Sequence, residues 1–388
     1  MANDNQKKEP FEEAILEPNL LNEIAPETAM ERPHIKGRLL NVVLCIFAFG
    51  MLVGYLFFAG EGEDMANALS SMRWPWLVLA VLMVVGYWFF ESVCMQIFSR
   101  DMFPKFRFRD TFLCTIIGQY FNCITPLSSG GQPFQAYYYN RFGMPLSKSM
   151  PMLVSRFVTY QVATSAFCAL VLLFRLHYFV EENSALTTLV VIGFIGGLGL
   201  LLMLLAIAFW RNGIVKLMTW AFKLAGKMHI VKDPEKRIVD TTKTIDDAYN
   251  EMRYMMKKPR LFARSIAVTF VQLLEFFAIS YVIMRGLGCD GDFLTVISCQ
   301  AFVYMISSFV PTPGAMGAAE TSYALFFSTI YPSASFVALS TFIWRFLTFY
   351  FPIVTGMFVT LAVNRSGVAA LDSRHSAMGC RVAALQSP

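Results

Sequence analysis

Leu39–Ala59 is a run of 21 residues without a formal charge, and runs of this kind recur along the chain. A helix rises about 1.5 Å per residue, so ~20 apolar residues cross the ~30 Å hydrocarbon core of a bilayer. Trp76–Phe98 is a second such run and carries one acid, Glu91. Met152–Phe174 is a third, with Arg156 near its start. Ala185–Trp210 is uncharged over 26 residues, Ile266–Met284 carries Glu275, and Phe336–Val363 carries Arg345 and Pro352. Composition agrees: 56% of the 388 residues are hydrophobic and 15% are charged. Soluble domains average about 45–50% apolar and about 25% charged residues. A soluble enzyme, a nucleic-acid binder and a disordered chain are therefore excluded. The expected fold is an all-α polytopic membrane protein with six full spans.

Two further stretches, 111–150 and 293–333, are apolar but broken by Pro, Gly, Ser and Gln. Charge placement decides how they are read. Arg32, Lys36 and Arg38 precede the first span, whereas Glu61, Glu63 and Asp64 follow it. Arg100, Lys105, Arg107 and Arg109 follow the second span, the 211–260 loop holds twelve Lys/Arg, and Arg365, Arg374 and Arg381 lie in the tail. Basic loops stay in the cytoplasm. All of them can do so if both broken stretches leave and return on one side of the membrane, as re-entrant helical hairpins or as pairs of short spans. Both termini are then cytoplasmic in a multi-pass protein of the cell membrane.

The chain also matches itself. A shift of 187 residues carries Phe89-Phe90 onto Phe276-Phe277, Thr125-Pro126 onto Thr312-Pro313 and Gly130 onto Gly317. A shift of 189 carries Arg156-Phe157-Val158-Thr159 onto Arg345-Phe346-Leu347-Thr348. The first half starts inside and the second outside, so the expected architecture is an inverted-topology repeat. Such repeats, with broken helices and a site near the midplane, are common in secondary transporters. The expected organisation is a polar tail (1–38), repeat 1 (39–174), repeat 2 (185–363) with a cytoplasmic insertion (211–260), and a tail (364–388). Lys216, Lys223 and Lys227 with neighbouring apolar residues predict a basic amphipathic helix in the insertion. It serves as a connector with interfacial anchoring, or as a contact for lipid headgroups. Gly193, Gly196, Gly197 and Gly199 permit close helix packing in the fourth span.

Other chemistries find little support. The acid-rich segment 1–38 has no apolar core of a signal peptide. The eight cysteines form no CxxC, and most lie within apolar segments, so they read as small hydrophobes. The four histidines are scattered, so no metal site is expected. No GxxxxGK[ST] motif is present, so no ATP site or other cofactor is expected. Nothing points to an enzyme, and a homo-oligomer is left open.

Ionisable residues inside spans are costly and mark function. Arg156 and Arg345 stand at repeat-related places. Each can clamp a phosphate with its planar fork, or pair statically with Glu91, Glu275 or Glu320. The same three acids are proton-carrying candidates. The turns Ser128-Ser129-Gly130-Gly131 and Pro313-Gly314-Ala315-Met316-Gly317 can present backbone N–H groups to an anion. Asn122, Gln119 and Gln132 add neutral donors, although Gln132 can equally cap its own hairpin. Thr125 and Thr312 open the two turns.

These hairpins resemble a known family. Asn122-Cys123-Ile124-Thr125-Pro126 with Gly130-Gly131-Gln132 and Arg156, and Pro311-Thr312-Pro313-Gly314 with Gly317, Glu320 and Arg345, are similar to the flippase-like membrane domain of lysyl-phosphatidylglycerol synthases. The similarity covers roughly residues 39–365. Gln132 departs from the acidic residue that the resemblance leads one to expect after the paired glycines. The aminoacyl-transferase domain of the synthases is expected to be absent. The resemblance implies translocation of membrane lipid, an anionic phospholipid or a polyprenyl-phosphate-linked species, and no lipid aminoacylation. The competing readings are a secondary transporter of a small soluble anion and a membrane-embedded lipid-phosphate enzyme. The enzyme would need histidines or clustered acids near a membrane face.

Overall fold

The computed structural model describes residues 72–182, 193–199, 201–203, 210–227, 234–308 and 310–365, with Gly50, Ser70, Val191 and Ala206 as isolated positions. Apart from these isolated positions, the predicted N-terminal tail, the predicted span Leu39–Ala59 and residues 366–388 lie outside the described residues, as does much of Ala185–Trp210. All described residues fall in one unit, residues 48–388.

The elements are helices: α1 (Trp74–Met102), α2 (Phe108–Ile124), α3 (Gly131–Arg141), α4 (Leu146–Glu182), α5 (Arg211–Lys227), α6 (Pro234–Lys257), α7 (Pro259–Gly286), α8 (Phe293–Ser307), α9 (Ala318–Phe327) and α10 (Ala334–Arg345). A π-helical turn, Phe346–Tyr350, leads on from α10, and the helix runs to Arg365. Among the described residues, four helices are long and apolar enough to cross a bilayer: Trp74–Met102, Leu146–Phe174, Pro259–Gly286 and Ala334–Arg365. They answer to four of the six predicted spans. The protein is thus an all-α polytopic membrane protein.

Local chemistry sets the boundaries. α1 and α7 each begin with proline in the first turn, where the missing N–H costs nothing. Asp292 caps α8 by accepting from the Thr295 N–H (3.0 Å) and hydroxyl (2.8 Å). The π-turn widens the last helix just before Pro352, whose ring cannot sit against the carbonyl of a regular helical turn. Buried hydroxyls bond the carbonyl one turn back: Ser92 to Trp88 (2.7 Å), Thr159 to Ser155 (2.8 Å), Thr269 to Ser265 (2.7 Å). These three hydroxyl hydrogens are then not left facing hydrocarbon.

α7 packs along α1 more extensively than any other pair of helices. The pair is antiparallel. The Arg73 N–H donates to the Gly286 carbonyl (2.7 Å) at one end, and Lys258 pairs with Asp101 (2.6 Å) at the other. α4, α8, α9 and the last helix complete the larger apolar core, centred on Phe277, Phe302, Tyr323, Phe326 and Phe327. A second core of Met95, Phe98, Ile117, Tyr139 and Met152 holds α2 and α3 against α1 and the start of α4. In the fourth predicted span, an added Cβ at Gly193 would touch Met305 and Ile306 of α8, and one at Gly197 would press on Met305. The predicted close packing is therefore present at those two glycines.

α2–α3 and α8–α9 are helix–turn–helix hairpins whose turns share a left-handed pair at matching positions, although the matched glycines differ: Gly130 is right-handed (φ −79°) and Gly317 has φ 87°. Leu127 and Ser128 (φ 52° each) and Gly314 and Ala315 (φ 59° and 53°) are left-handed, and the shift of 187 relates each pair. Such backbone is sterically costly outside glycine and gathers at working sites. The turns meet in an antiparallel bridge between Pro126 and Pro313, again 187 apart.

The predicted amphipathic helix in the insertion is α5. It leaves Leu217 and Trp220 exposed beside Lys216 and Lys223. α6 is a second amphipathic helix packed on it. Arg211 joins the two by donating to Asp246 (2.5 Å), which holds the Asp246 carboxyl below its usual range.

Candidate functional site

A cavity of about 360 Å³ lies between the hairpin turns and helices α1, α4, α7, α8 and α10. Both membrane arginines line it, from opposite halves of the chain. Of the predicted site residues, Glu91, Asn122, Gln132, Arg156, Thr312, Gly314 and Arg345 line the cavity, as does Gln119. Thr125, Gly130, Gly131, Gly317, Glu275 and Glu320 do not line it, and most of them act behind the wall.

The turn residues build the wall. Thr125 donates to the Phe121 carbonyl (2.6 Å) and accepts from the Gly130 N–H (2.9 Å), closing the first turn. A Cβ at Gly131 would collide with the Asn122 amide, so glycine lets Asn122 lie across the start of α3. A Cβ at Gly314 would collide with the Phe349 ring. In the second turn, Glu320 accepts from the Gly317 N–H (2.7 Å) and caps α9.

The two arginines differ. Arg156 is 3% exposed and all three of its guanidinium nitrogens donate. Nε donates to Glu91 (3.0 Å) and Nη2 to both Glu91 (2.5 Å) and Gln272 (2.7 Å), while Nη1 donates to Thr269 (2.8 Å). Gln272 also donates to Glu91 (2.7 Å), and the guanidinium lies over the Tyr160 ring at 5.0 Å. A buried ion pair repays its desolvation only with excellent geometry and every remaining hydrogen bond filled. This one comes close to that condition, with four hydrogen bonds from the guanidinium.

Arg345 is held more loosely. Its Nε comes within 2.6 Å of Glu320 Oε1, an ion-pair contact outside hydrogen-bond geometry. Nη2 donates to the Gly314 carbonyl (3.0 Å) and more weakly to that of Ala315 (3.5 Å). Trp344 and Phe349 flank the guanidinium at 5.0 and 5.5 Å. Arg345 therefore has more donor capacity to offer an anion in the cavity than Arg156, which makes four hydrogen bonds in this arrangement. Glu275 pairs with neither arginine. Its carboxylate packs on Gly86 of α1, where a Cβ would collide with it, and Oε2 is buried without a hydrogen-bond partner.

A family model described as the lysylphosphatidylglycerol synthase TM region matches residues 41–356, which include every residue of this site. The chain belongs to this family. Two relatives are similar over most of their length. A UPF0104 membrane protein of Archaeoglobus fulgidus is 27% identical over 325 residues, covering 79% of this chain and 91% of the relative. One of Methanocaldococcus jannaschii is 21% identical over 332 residues, covering 84% and 95%. The resemblance read from the hairpin motifs thus extends over residues 41–356.

Some site residues were not apparent in the sequence. Tyr87, Tyr160 and Tyr304 line the cavity, and the Tyr160 and Tyr304 hydroxyls are 2.7 Å apart. Thr269 and Gln272 complete the Arg156 shell. Two signals were present. Ser265, Thr269 and Gln272 recur at helical spacing on one face of an apolar helix, and Tyr160 follows Arg156 by one turn.

Proposed function

We propose that the protein moves an anionic lipid between membrane leaflets, receiving the phosphate at Arg345 in the cavity between the hairpin turns. One observation carries this reading: two arginines from repeat-related positions share a cavity built by two alike broken hairpins. The halves act as an inverted repeat, and the hairpins as re-entrant elements whose turns separate the two sides of a cell membrane. Both termini face the cytoplasm. The protein performs no bond chemistry on the lipid. Ligand cavities span ~300–1,000 Å³, so this one, at about 360 Å³, suits a headgroup and leaves the acyl chains outside. Leu127 and Phe157 line the cavity yet are 57% and 37% exposed, an apolar edge that favours a lipid over a soluble anion.

The test reconstitutes the full chain in vesicles and measures translocation of labelled phosphatidylglycerol beside uptake of inorganic phosphate. Translocation without uptake supports the reading. Uptake without translocation overturns it in favour of a soluble-anion transporter.

A further inference from the structure

The insertion divides its charge unevenly between its two helices. α5 carries four basic residues, Arg211, Lys216, Lys223 and Lys227, and no acid. In α6, Lys236, Arg237, Lys243, Arg253 and Lys257 are balanced by Glu235, Asp240, Asp246, Asp247 and Glu251. Arg211 is turned to α6, where it donates to Asp246. Lys216 and Lys223 are exposed and make no ion pair among the described residues.

The two lysines share a face with apolar side chains. Lys216, Leu217, Trp220 and Lys223 follow the i, i+1, i+4, i+7 spacing of one side of a helix. Leu217 and Trp220 are 57% and 62% exposed. Met218 and Phe222, on the other side of α5, are half-buried, and α5 packs on α6. The exposed face is therefore left open by the rest of the described structure. Leucine and tryptophan flanked by lysine suit a bilayer interface. The apolar groups enter the acyl boundary, and the lysine stems reach back to the headgroups.

Two placements put a bilayer beside this face. The uncharged run Ala185–Trp210 ends at the residue before α5, and Trp210 is itself exposed. Tryptophan is enriched at membrane interfaces. In addition, α6 packs on α4 and α7, both long and apolar enough to cross the membrane. An acidic protein would match the lysines alone. The exposed tryptophan and the adjacent membrane helices favour lipid.

We infer that this face of α5 docks on the bilayer surface and binds anionic lipid headgroups, anchoring the insertion where the leaflet is negatively charged. The site is separate from the cavity and does not depend on lipid movement. It takes from the reading above only the cytoplasmic placement of 211–260, on the side where anionic lipids attract basic segments.

The test places the full chain in nanodiscs, which leave both bilayer faces accessible. Leu217→Cys, in a background without other cysteines, reports on the face through its labelling rate with a neutral polyethylene-glycol maleimide. Labelling should be roughly fivefold or more slower in equimolar phosphatidylcholine and phosphatidylglycerol than in phosphatidylcholine alone. That is the scale of one lysine near an anionic surface. The difference should vanish in high salt, which screens the attraction. It should also vanish in Lys216→Gln/Lys223→Gln, whose fold is checked by an unchanged size-exclusion profile. Equal rates in the two lipids overturn the inference. A cysteine free in both leaves the face to another partner, and one protected in both makes the contact apolar alone. A difference that survives both salt and lysine substitution overturns it as well. Sealed vesicles test the orientation apart from the docking. Leu217→Cys should react from the same side as single cysteines at 138–148. Reaction from the opposite side overturns the cytoplasmic placement, while charge-dependent protection in nanodiscs still upholds the docking.

Discussion

Arg156 and Arg345 have the same chemistry but different surroundings, and this sets what each substitution should do. Arg156→Ala leaves Glu91 buried with one hydrogen bond, from Gln272, in place of an ion pair. Stranding a buried charge costs about 3–5 kcal/mol, so thermal unfolding should fall sharply. Arg156→Lys restores the charge but not the fork shared among Glu91, Thr269 and Gln272, so it should recover only part of that loss. Arg345→Lys keeps a cation near Glu320 and should stay close to wild-type stability. Losing the planar fork should still weaken lipid binding about tenfold. Stability loss at Arg345 as large as at Arg156 would show that both arginines are structural. The sequence singled out both arginines and three acids but did not determine which acid pairs with which arginine. The pairing depends on how α1, α4 and α7 are rotated about their axes, which no local pattern encodes.

At the scale of elements, the two hairpins and their contact carry the account. Directly opposed residues of an antiparallel bridge have Cα atoms ~4.5–5.5 Å apart. A disulfide needs ~4.4–6.8 Å. In a background without other cysteines, Pro126→Cys combined with Pro313→Cys should therefore cross-link under mild oxidation, read as a mobility shift on a non-reducing gel. Absence of cross-linking would place the turns apart. The Asp292 cap gives a second test. Asp292→Ala removes the acceptor for the Thr295 N–H at the start of α8 and should cost about 1 kcal/mol. The turn motifs were legible because Pro and Gly leave local signatures. The four long helices were legible because uncharged runs do the same. The π-turn at Phe346–Tyr350 was not, since the register of a helix around Pro352 is settled by the helices packed against it.

For the whole molecule, antiparallel packing of α1 on α7 and two hairpins with related turns enclose one shared cavity. The likeness of the two hairpin turns was visible in sequence as a few identities at a spacing of 187 residues. The cavity was not, because its tyrosines and amides come from separate helices that only packing assembles. The orientation adds a prediction. Single cysteines at 138–148, which include the end of α3 and the start of α4, should react with impermeant reagents from the cytoplasmic side. Labelling from outside would contradict a cytoplasmic hairpin. The central claim is movement of an anionic lipid through the cavity. It is tested most directly by the fraction of labelled phosphatidylglycerol that an impermeant quencher reaches in proteoliposomes of wild type and Arg345→Lys, at matched protein content and stability. The account predicts that wild-type vesicles lose fluorescence beyond the outer-leaflet fraction, while Arg345→Lys vesicles stay near the protein-free level. Wild-type vesicles indistinguishable from protein-free ones, or Arg345→Lys vesicles indistinguishable from wild type, would contradict it.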